Sequence, residues 1–169
     1  MSHTVSILMG SDSDLEIMRE AASVLKQFGI SYDIKVLSAH RSPEQVSEYV
    51  KNAPKNGTKI FIAGAGGAAH LAGVIAAQTI LPVIGIPIPT QMSGGLDSLL
   101  STVQMPGGIP VATVAASKGG AMNAGILAVQ MLALSDSKLA EKLKEHKDSL
   151  VKSVHAKNQK LTEQLKKEN

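Results

Sequence analysis

The sequence predicts a doubly wound α/β domain, a parallel sheet with helices on both faces. Three observations predict it. Short apolar runs suited to buried strands occur at 5–9, 34–37, 60–63, 82–86 and 111–115; helical periodicity fills most of the intervals; and a segment rich in Gly or Ser follows each run. Strands apolar along their whole length are covered on both sides, and their alternation with helices implies right-handed parallel crossovers.

The first run, VSILM, leads through GSDSD into a helical pattern over 15–28. There Leu15, Met18, Ala22, Leu25 and Phe28 recur at three- and four-residue steps, and Gly29 ends the helix. Ser13 and Glu16 have the spacing of a capping box at its start. The second run leads through SAHRSP into a helix over 43–51, with Ser42 as N-cap, Pro43 at N1 and Gln45 at N3. The third leads through GAGGAAH into a helix over 68–78. The fourth is followed by the loop PIPTQMSGGLDS, and the fifth by SKGGAMNAG and a helix over 120–134.

From Asp136 onward the composition changes to a lysine-rich helix without Gly or Pro, with Asp136 as its N-cap. Its apolar residues repeat every 11 positions, as Leu139, Leu150, Leu161 and as Leu143, Val154, Leu165. That period keeps a thin stripe on one side of a nearly straight helix. So narrow a stripe predicts an arm laid across another subunit, with the last dozen residues frayed as the plainer alternative.

The bulk numbers set limits. At 169 residues with 44% hydrophobic and 2% aromatic content, the chain predicts one domain with an aliphatic core. It has no cysteine, which removes disulfides and thiolate chemistry and points to an intracellular protein. No basic leader precedes the first apolar run, and no run reaches the roughly 18 residues of a membrane span, so a soluble, unprocessed protein is expected. The sequence pI is near 9.1, but the positive charge is confined to the tail. Residues 137–169 hold nine lysines against five acids, and residues 1–136 hold eight basic against nine acidic side chains. With four aromatics there is no stacking platform, so nucleic acid is not the expected partner.

Parallel sheets of this kind bind ligands beyond the carboxyl ends of their strands. His40 and Arg41 lie there, between the second strand and its helix, and capping does not explain them. A histidine at such an edge moves protons near neutral pH, and an arginine beside it offers a fork of donors for a phosphate. A histidine satisfied by packing is the alternative, which the adjacent arginine weakens. In GSDSD, Gly10 and the helix start favour an anion, with Ser11 suited to a phosphate and Asp14 to a ribose hydroxyl. GAGGAAH approaches a dinucleotide fingerprint through Gly64, Gly66 and Ala69. No Asp or Glu occurs between Glu48 and Asp97, however, so the acid that would hold the ribose is missing. The small residues predict close packing around something small, with His70 at its rim. There is no GxxxxGK[ST] loop, no metal-ligand spacing around His40 or His70, and no GxSxG elbow.

The segments MGSDSD, SAHRSP, AGAGGAAHLAG, GLDSLLSTVQMPGGIPVATVA and NAGILA, in this order over residues 5–134, resemble the N5-carboxyaminoimidazole ribonucleotide mutase family of purine biosynthesis, often called PurE. Relatives that carboxylate aminoimidazole ribonucleotide directly with CO2 carry lysine after the histidine and lack GGAAH, so Arg41 and His70 favour the mutase class. The resemblance implies a flavodoxin-like three-layer sandwich with a central parallel sheet, assembled as a cytoplasmic homo-octamer. Residues 1–135 would be the catalytic part of the single domain, and 136–169 an oligomerisation helix packed on neighbouring subunits. It implies a small nucleotide substrate and no metal, cofactor or ATP. Ser11 and Arg41 would hold the 5′-phosphate, Asp14 the ribose, and Ser38 would line the site. His40 would be the general acid and base, and His70 would border the pocket for the carboxylate or CO2. Two departures, Ala72 where proline is usual and the loop PTQMSGG, bear on loop shape. A noncatalytic flavodoxin-like module for a flavin or another phosphate ester is the competing reading, and it lacks aromatic walls for an isoalloxazine.

Overall fold

The computed structural model describes residues 2–168. The chain divides into two compact units, Met1–Val129 and Gln130–Asn169. The first unit holds a five-stranded, wholly parallel sheet in the order β2-β1-β3-β4-β5. Its strands are β1 (Val5–Met9), β2 (Tyr32–Val36), β3 (Ile60–Gly66), β4 (Val83–Ile88) and β5 (Ala112–Thr113). This is the flavodoxin-like order. After β2 the chain returns past β1 to lay down β3, so the order reverses between β2 and β3, and a crevice opens beyond the carboxyl ends of β1 and β3. Register fixes those ends: Met9 pairs with Val36 on one side and with Gly64 on the other.

The central strands β1, β3 and β4 are buried because they are apolar on both faces, whereas the edge strand β2, read from the sequence as buried, carries Asp33 and Lys35 and is only partly covered. Every residue of β1 and β4 is buried. On one face Leu8, Phe61 and Ala63 meet Val46 and Val50 of α2 (Pro43–Asn52) and Leu71, Ala72 and Ile75 of α3 (Leu71–Ala76). On the other face Gly64 lies against Met18 of α1 (Leu15–Phe28), and Gly125 of α5 (Lys118–Ala133) lies against Ala21 and Val24 of α1. Fully burying each large aliphatic side chain contributes about 1.5–3 kcal/mol, enough for Ala, Val, Ile and Leu to build this core with Phe28 and Phe61 alone as its buried aromatics.

Element boundaries moved where backbone geometry overrides composition. α1 ends at Gly29 with φ 77°, as its position predicts. α3 begins at Leu71 rather than at 68, because Gly67 has φ +67° and residues 67–70 form a turn, with Ala69 N–H donating to the Gly67 carbonyl at 2.8 Å. The segment read as a loop after β4 contains a further helix, α4 (Leu96–Val103), which follows Gly95 at φ +90°. Beside its three leucines, its aspartate, serines, threonine and valine are weak helix formers. It is held instead by buried hydroxyls, with Thr102 donating to the Ser98 carbonyl at 2.7 Å.

The second unit contains α6 (Ser137–Glu168), 32 residues and about 48 Å long. Asp136 caps it as predicted, its carboxylate accepting from the Lys138 and Leu139 amides at 3.0 and 3.2 Å. Along it Leu150, Val154, Leu161 and Leu165 are half exposed. Among the described residues no helix is long and apolar enough to cross a membrane, and no cluster of His, Cys, Asp or Glu is placed to hold a metal.

Candidate active site

The loops after β1, β2, β3 and β4 enclose a cleft of about 470 Å³ at the carboxyl edge of the sheet. Ser11, Asp14, Ser38, His40 and Arg41 all line it. Four strands that end level with one another therefore bring together segments separated by up to about eighty residues of sequence.

The β1 loop is organised by a different pair from the one its spacing suggested. Ser11 and Asp14, not Ser13 and Glu16, form the capping box, of a short 3₁₀ turn over Asp12–Asp14. The Ser11 amide donates to Asp14 Oδ2 at 3.2 Å, and Ser11 Oγ accepts from the Ser13 amide and hydroxyl at 3.4 and 2.9 Å. The tighter turn starts the helical run three residues early, which frees Glu16 to accept from Lys118 Nζ at 2.6 Å. Asp14 is buried at the floor of the cleft. Burial pushes its carboxyl above the usual 3.8, against the lowering effect of hydrogen bonds from Ser13 and Ser11.

The β2 loop is folded on Ser38. Its amide donates to Ser42 Oγ at 3.0 Å and its carbonyl accepts from the same hydroxyl at 3.1 Å. Ser42 is the N-cap residue of α2 with Pro43 next, as expected, but its hydroxyl bonds back to Ser38 and caps no helix amide. With the loop closed, Ser38 Oγ accepts from the Arg41 amide at 3.2 Å and from Arg41 Nε at 3.4 Å. Arg41 Nη2 donates to the Gly10 carbonyl at 2.8 Å. The guanidinium thus ties the β2 loop to the β1 loop beside Ser11.

His40 meets His70. Nε2 of His40 lies 2.9 Å from Nδ1 of His70, with the rings edge to face at 84° and their centroids 4.9 Å apart. His70 occupies the N-cap position of α3 and stands behind His40; it is not itself a wall of the cleft. The β3 segment adds Ala65, Gly66 and Ala68 to the lining. A Cβ on Gly66 would stand 3.3 Å from the Ile88 carbonyl, a tight contact that glycine spares where β3 runs beside the end of β4.

Sequence reasoning missed Ile88, Pro89 and Thr90, which form the fourth wall. The signal available was their position directly after an apolar run, but their side chains carry no obvious chemistry. SKGGAMNAG, which also follows a strand, contributes nothing to the cleft: it becomes the first turns of α5.

A model of the family described as AIR carboxylase matches residues 4–153. The chain belongs to the AIR carboxylase family. It is 54% identical over 157 residues to the N5-carboxyaminoimidazole ribonucleotide mutase of Thermotoga maritima, covering 93% of this chain and 91% of that protein. It is 51% identical over 154 residues to the enzyme of the same name from Bacillus subtilis, covering 91% and 95%. A crystal structure of Treponema denticola PurE superposes with a TM-score of 0.84 at 32% identity, over 94% of this chain and 98% of that one. Within this family the cleft at the carboxyl edge of the sheet is the natural candidate for catalysis.

Proposed function

We propose that the protein is an N5-carboxyaminoimidazole ribonucleotide mutase of purine biosynthesis, moving a carboxyl group from the exocyclic nitrogen to carbon C4 of aminoimidazole ribonucleotide. The observation that carries this reading is the 2.9 Å bond between His40 and His70 beside the anchored Arg41 guanidinium. The names of relatives at 51–54% identity support it.

The roles follow from the groups present. Two of the five guanidinium N–H donors of Arg41 serve the loops, and the remainder, with Ser11, hold the 5′-phosphate. Asp14 accepts from the ribose, and Ser38 fixes the arginine. The N–CO2 bond breaks to release CO2 while His40 gives a proton to the nitrogen. C4 then attacks the CO2, forming the C–C bond, and its proton returns to His40. No proton, electron or phosphate is consumed, so neither ATP nor a redox cofactor is required. The reaction needs one mobile proton at a fixed place. Proton transfer by such a group contributes about 10²–10⁴ in rate, and keeping CO2 in a small cleft replaces a dilute second encounter. A cytoplasmic homo-octamer in which α6 packs on neighbouring subunits completes the reading.

The decisive experiment follows conversion of N5-carboxyaminoimidazole ribonucleotide to the C4-carboxylated isomer without ATP, for the protein and for His40→Asn. The protein isomerises the substrate, and the variant binds it without turnover. Near-normal isomerisation by His40→Asn would refute the role of His40. Efficient carboxylation of aminoimidazole ribonucleotide with bicarbonate, in place of isomerisation, would establish the free-CO2 reading instead.

A further inference from the structure

The helix α4 contributes no residue to the lining of the cleft, yet it grips two of the four loops. Ser98 is fully buried, and its Oγ accepts from the Gly67 amide at 2.8 Å. Ser101 Oγ shares its one proton between the Gly67 carbonyl at 3.2 Å and the Asp97 carbonyl at 2.7 Å. Both backbone polar groups of Gly67 are therefore engaged by serines one helical turn apart. On the same turn, Asp97 Oδ1 accepts from Thr90 Oγ1 at 2.7 Å, and Thr90 lines the cleft. The Thr90 hydroxyl, with help from Ser98, holds the Asp97 carboxyl below its usual value, so this acceptor stays ionised.

Gly67 is the hinge on which His70 depends. It sits at φ +67°, and the next three residues are placed by short bonds: the Ala69 amide donates to the Gly67 carbonyl and the His70 amide to the Ala68 carbonyl, both at 2.8 Å. Two residues, Ala68 and Ala69, separate the serine-held glycine from the histidine that bonds His40. Glycine at positive φ has wide freedom, so without external restraint this turn would sample several conformations and carry His70 with it. A displacement of about 1 Å at a reacting pair can cost on the order of 10²-fold in rate.

We propose that Ser98 and Ser101 are positioning residues for the proposed isomerisation: they clamp Gly67 by its amide and its carbonyl and so set the His70 ring against His40. The inference rests on the catalytic reading of His40, and it adds that α4 is the part of the fold that holds the pair in register. Neither serine touches substrate; both act through the turn.

The test uses the full-length protein and the variants Ser98→Ala, Ser101→Ala and Ser101→Thr. Steady-state isomerisation is measured together with the imidazole ¹⁵N and ¹H NMR shifts of His40 and His70 in the absence of substrate. In Ser101→Ala and Ser98→Ala, kcat falls about 10- to 100-fold, KM stays within about threefold, and the signals of both imidazoles move as their bond lengthens or breaks. Ser101→Thr, which keeps the hydroxyl, recovers most of kcat and the parental shifts. The proposal is overturned if the alanine variants keep the parental imidazole shifts, or if Thr at 101 behaves like Ala although the fold is intact. Should Ser98→Ala fail to fold, Ser101, which is partly exposed, decides alone. The NMR arm needs no turnover, so absence of isomerisation in the parent protein would sink the catalytic reading while leaving the clamp measurable.

Discussion

Nε2 of His40 and Nδ1 of His70 stand 2.9 Å apart, with the two rings edge to face. A bond between two imidazole nitrogens requires one of them to carry a hydrogen and the other a free lone pair. The pair therefore shares a single proton across that contact. His70 engages Nε2 of His40, and on the proposed mechanism the mobile proton belongs to the pair.

Replacing His70 with Leu removes the contact and leaves in place His40, the proposed general acid. Loss of a hydrogen bond to a group that becomes charged costs about 1.5–3 kcal/mol, so kcat falls roughly 10- to 100-fold while KM changes little. His40→Asn is more damaging, by about 10²- to 10⁴-fold. Steady-state kinetics of the two variants and of the double variant check this. Effects that multiply in the double variant would show that the histidines act separately.

Arg41→Lys keeps the charge and loses the fork. A lysine cannot span the Gly10 carbonyl at 2.8 Å and Ser38 Oγ at 3.4 Å while also presenting paired donors to a phosphate. KM for the ribonucleotide rises by about tenfold, equivalent to about 1.4 kcal/mol, with a smaller change in kcat. Isothermal titration with the product and steady-state kinetics measure the two parts.

Most of the sheet and four of the cleft segments were legible in the sequence for one reason: strands buried on both faces leave uninterrupted apolar runs, and the loops after them hold the polar residues. β1 matched residue for residue because VSILM is bounded by polar and glycine residues. What was hidden was set by tertiary contact. α4 is short and mixes its leucines with weak helix formers, and the buried Ser98 and Thr102 that hold it resemble loop residues. The capping pair at β1 was misplaced by two residues, since Ser11 and Ser13 offer the same chemistry and only the tight turn into Asp14 chooses between them. His70 was recognisable as a loop histidine, but its bond to His40, thirty residues earlier, depends on β1 lying between β2 and β3.

The packing of α5 against α1 yields a prediction in which two effects compete. Gly125 lies inside α5, where alanine would gain about 1 kcal/mol in helix propensity. A Cβ there would stand 2.8 Å from Val24 Cβ and 3.0 Å from the Ala21 carbonyl, and both neighbours are buried on α1. Overpacking against backbone costs about 1–3 kcal/mol and wins. Gly125→Ala is expected to lower Tm by roughly 2–8 °C. Gly107, whose Cβ would meet nothing within 4 Å, serves as the control: alanine there leaves Tm unchanged or slightly higher. Thermal unfolding of the two variants side by side decides the matter.

At the amino-terminal edge of the sheet, Tyr49 provides a test by pH. Its hydroxyl donates to Asp33 Oδ2 at 2.9 Å, with Ser6 Oγ at 3.1 Å, His3 Nε2 at 3.4 Å and Lys35 Nζ 4.9 Å from the ring centre. Burial, reinforced by the Asp33 carboxylate and opposed by Ser6, pushes the phenol from 10.0 to about 12. Below pH 10 both the folded and the unfolded chain keep this proton, and its contribution to stability is fully present. Between pH 10 and about 12 the unfolded chain releases the proton first, so stability falls with rising pH. Tyr49→Phe loses the two hydrogen bonds and about 1–2 kcal/mol at neutral pH, yet it has no phenol to ionise. The stability gap between parent and variant therefore narrows as pH rises from 10 towards 12, in urea titrations read by circular dichroism. A gap that stayed constant across that window would mean that Tyr49 ionises as readily in the folded protein as in the unfolded chain.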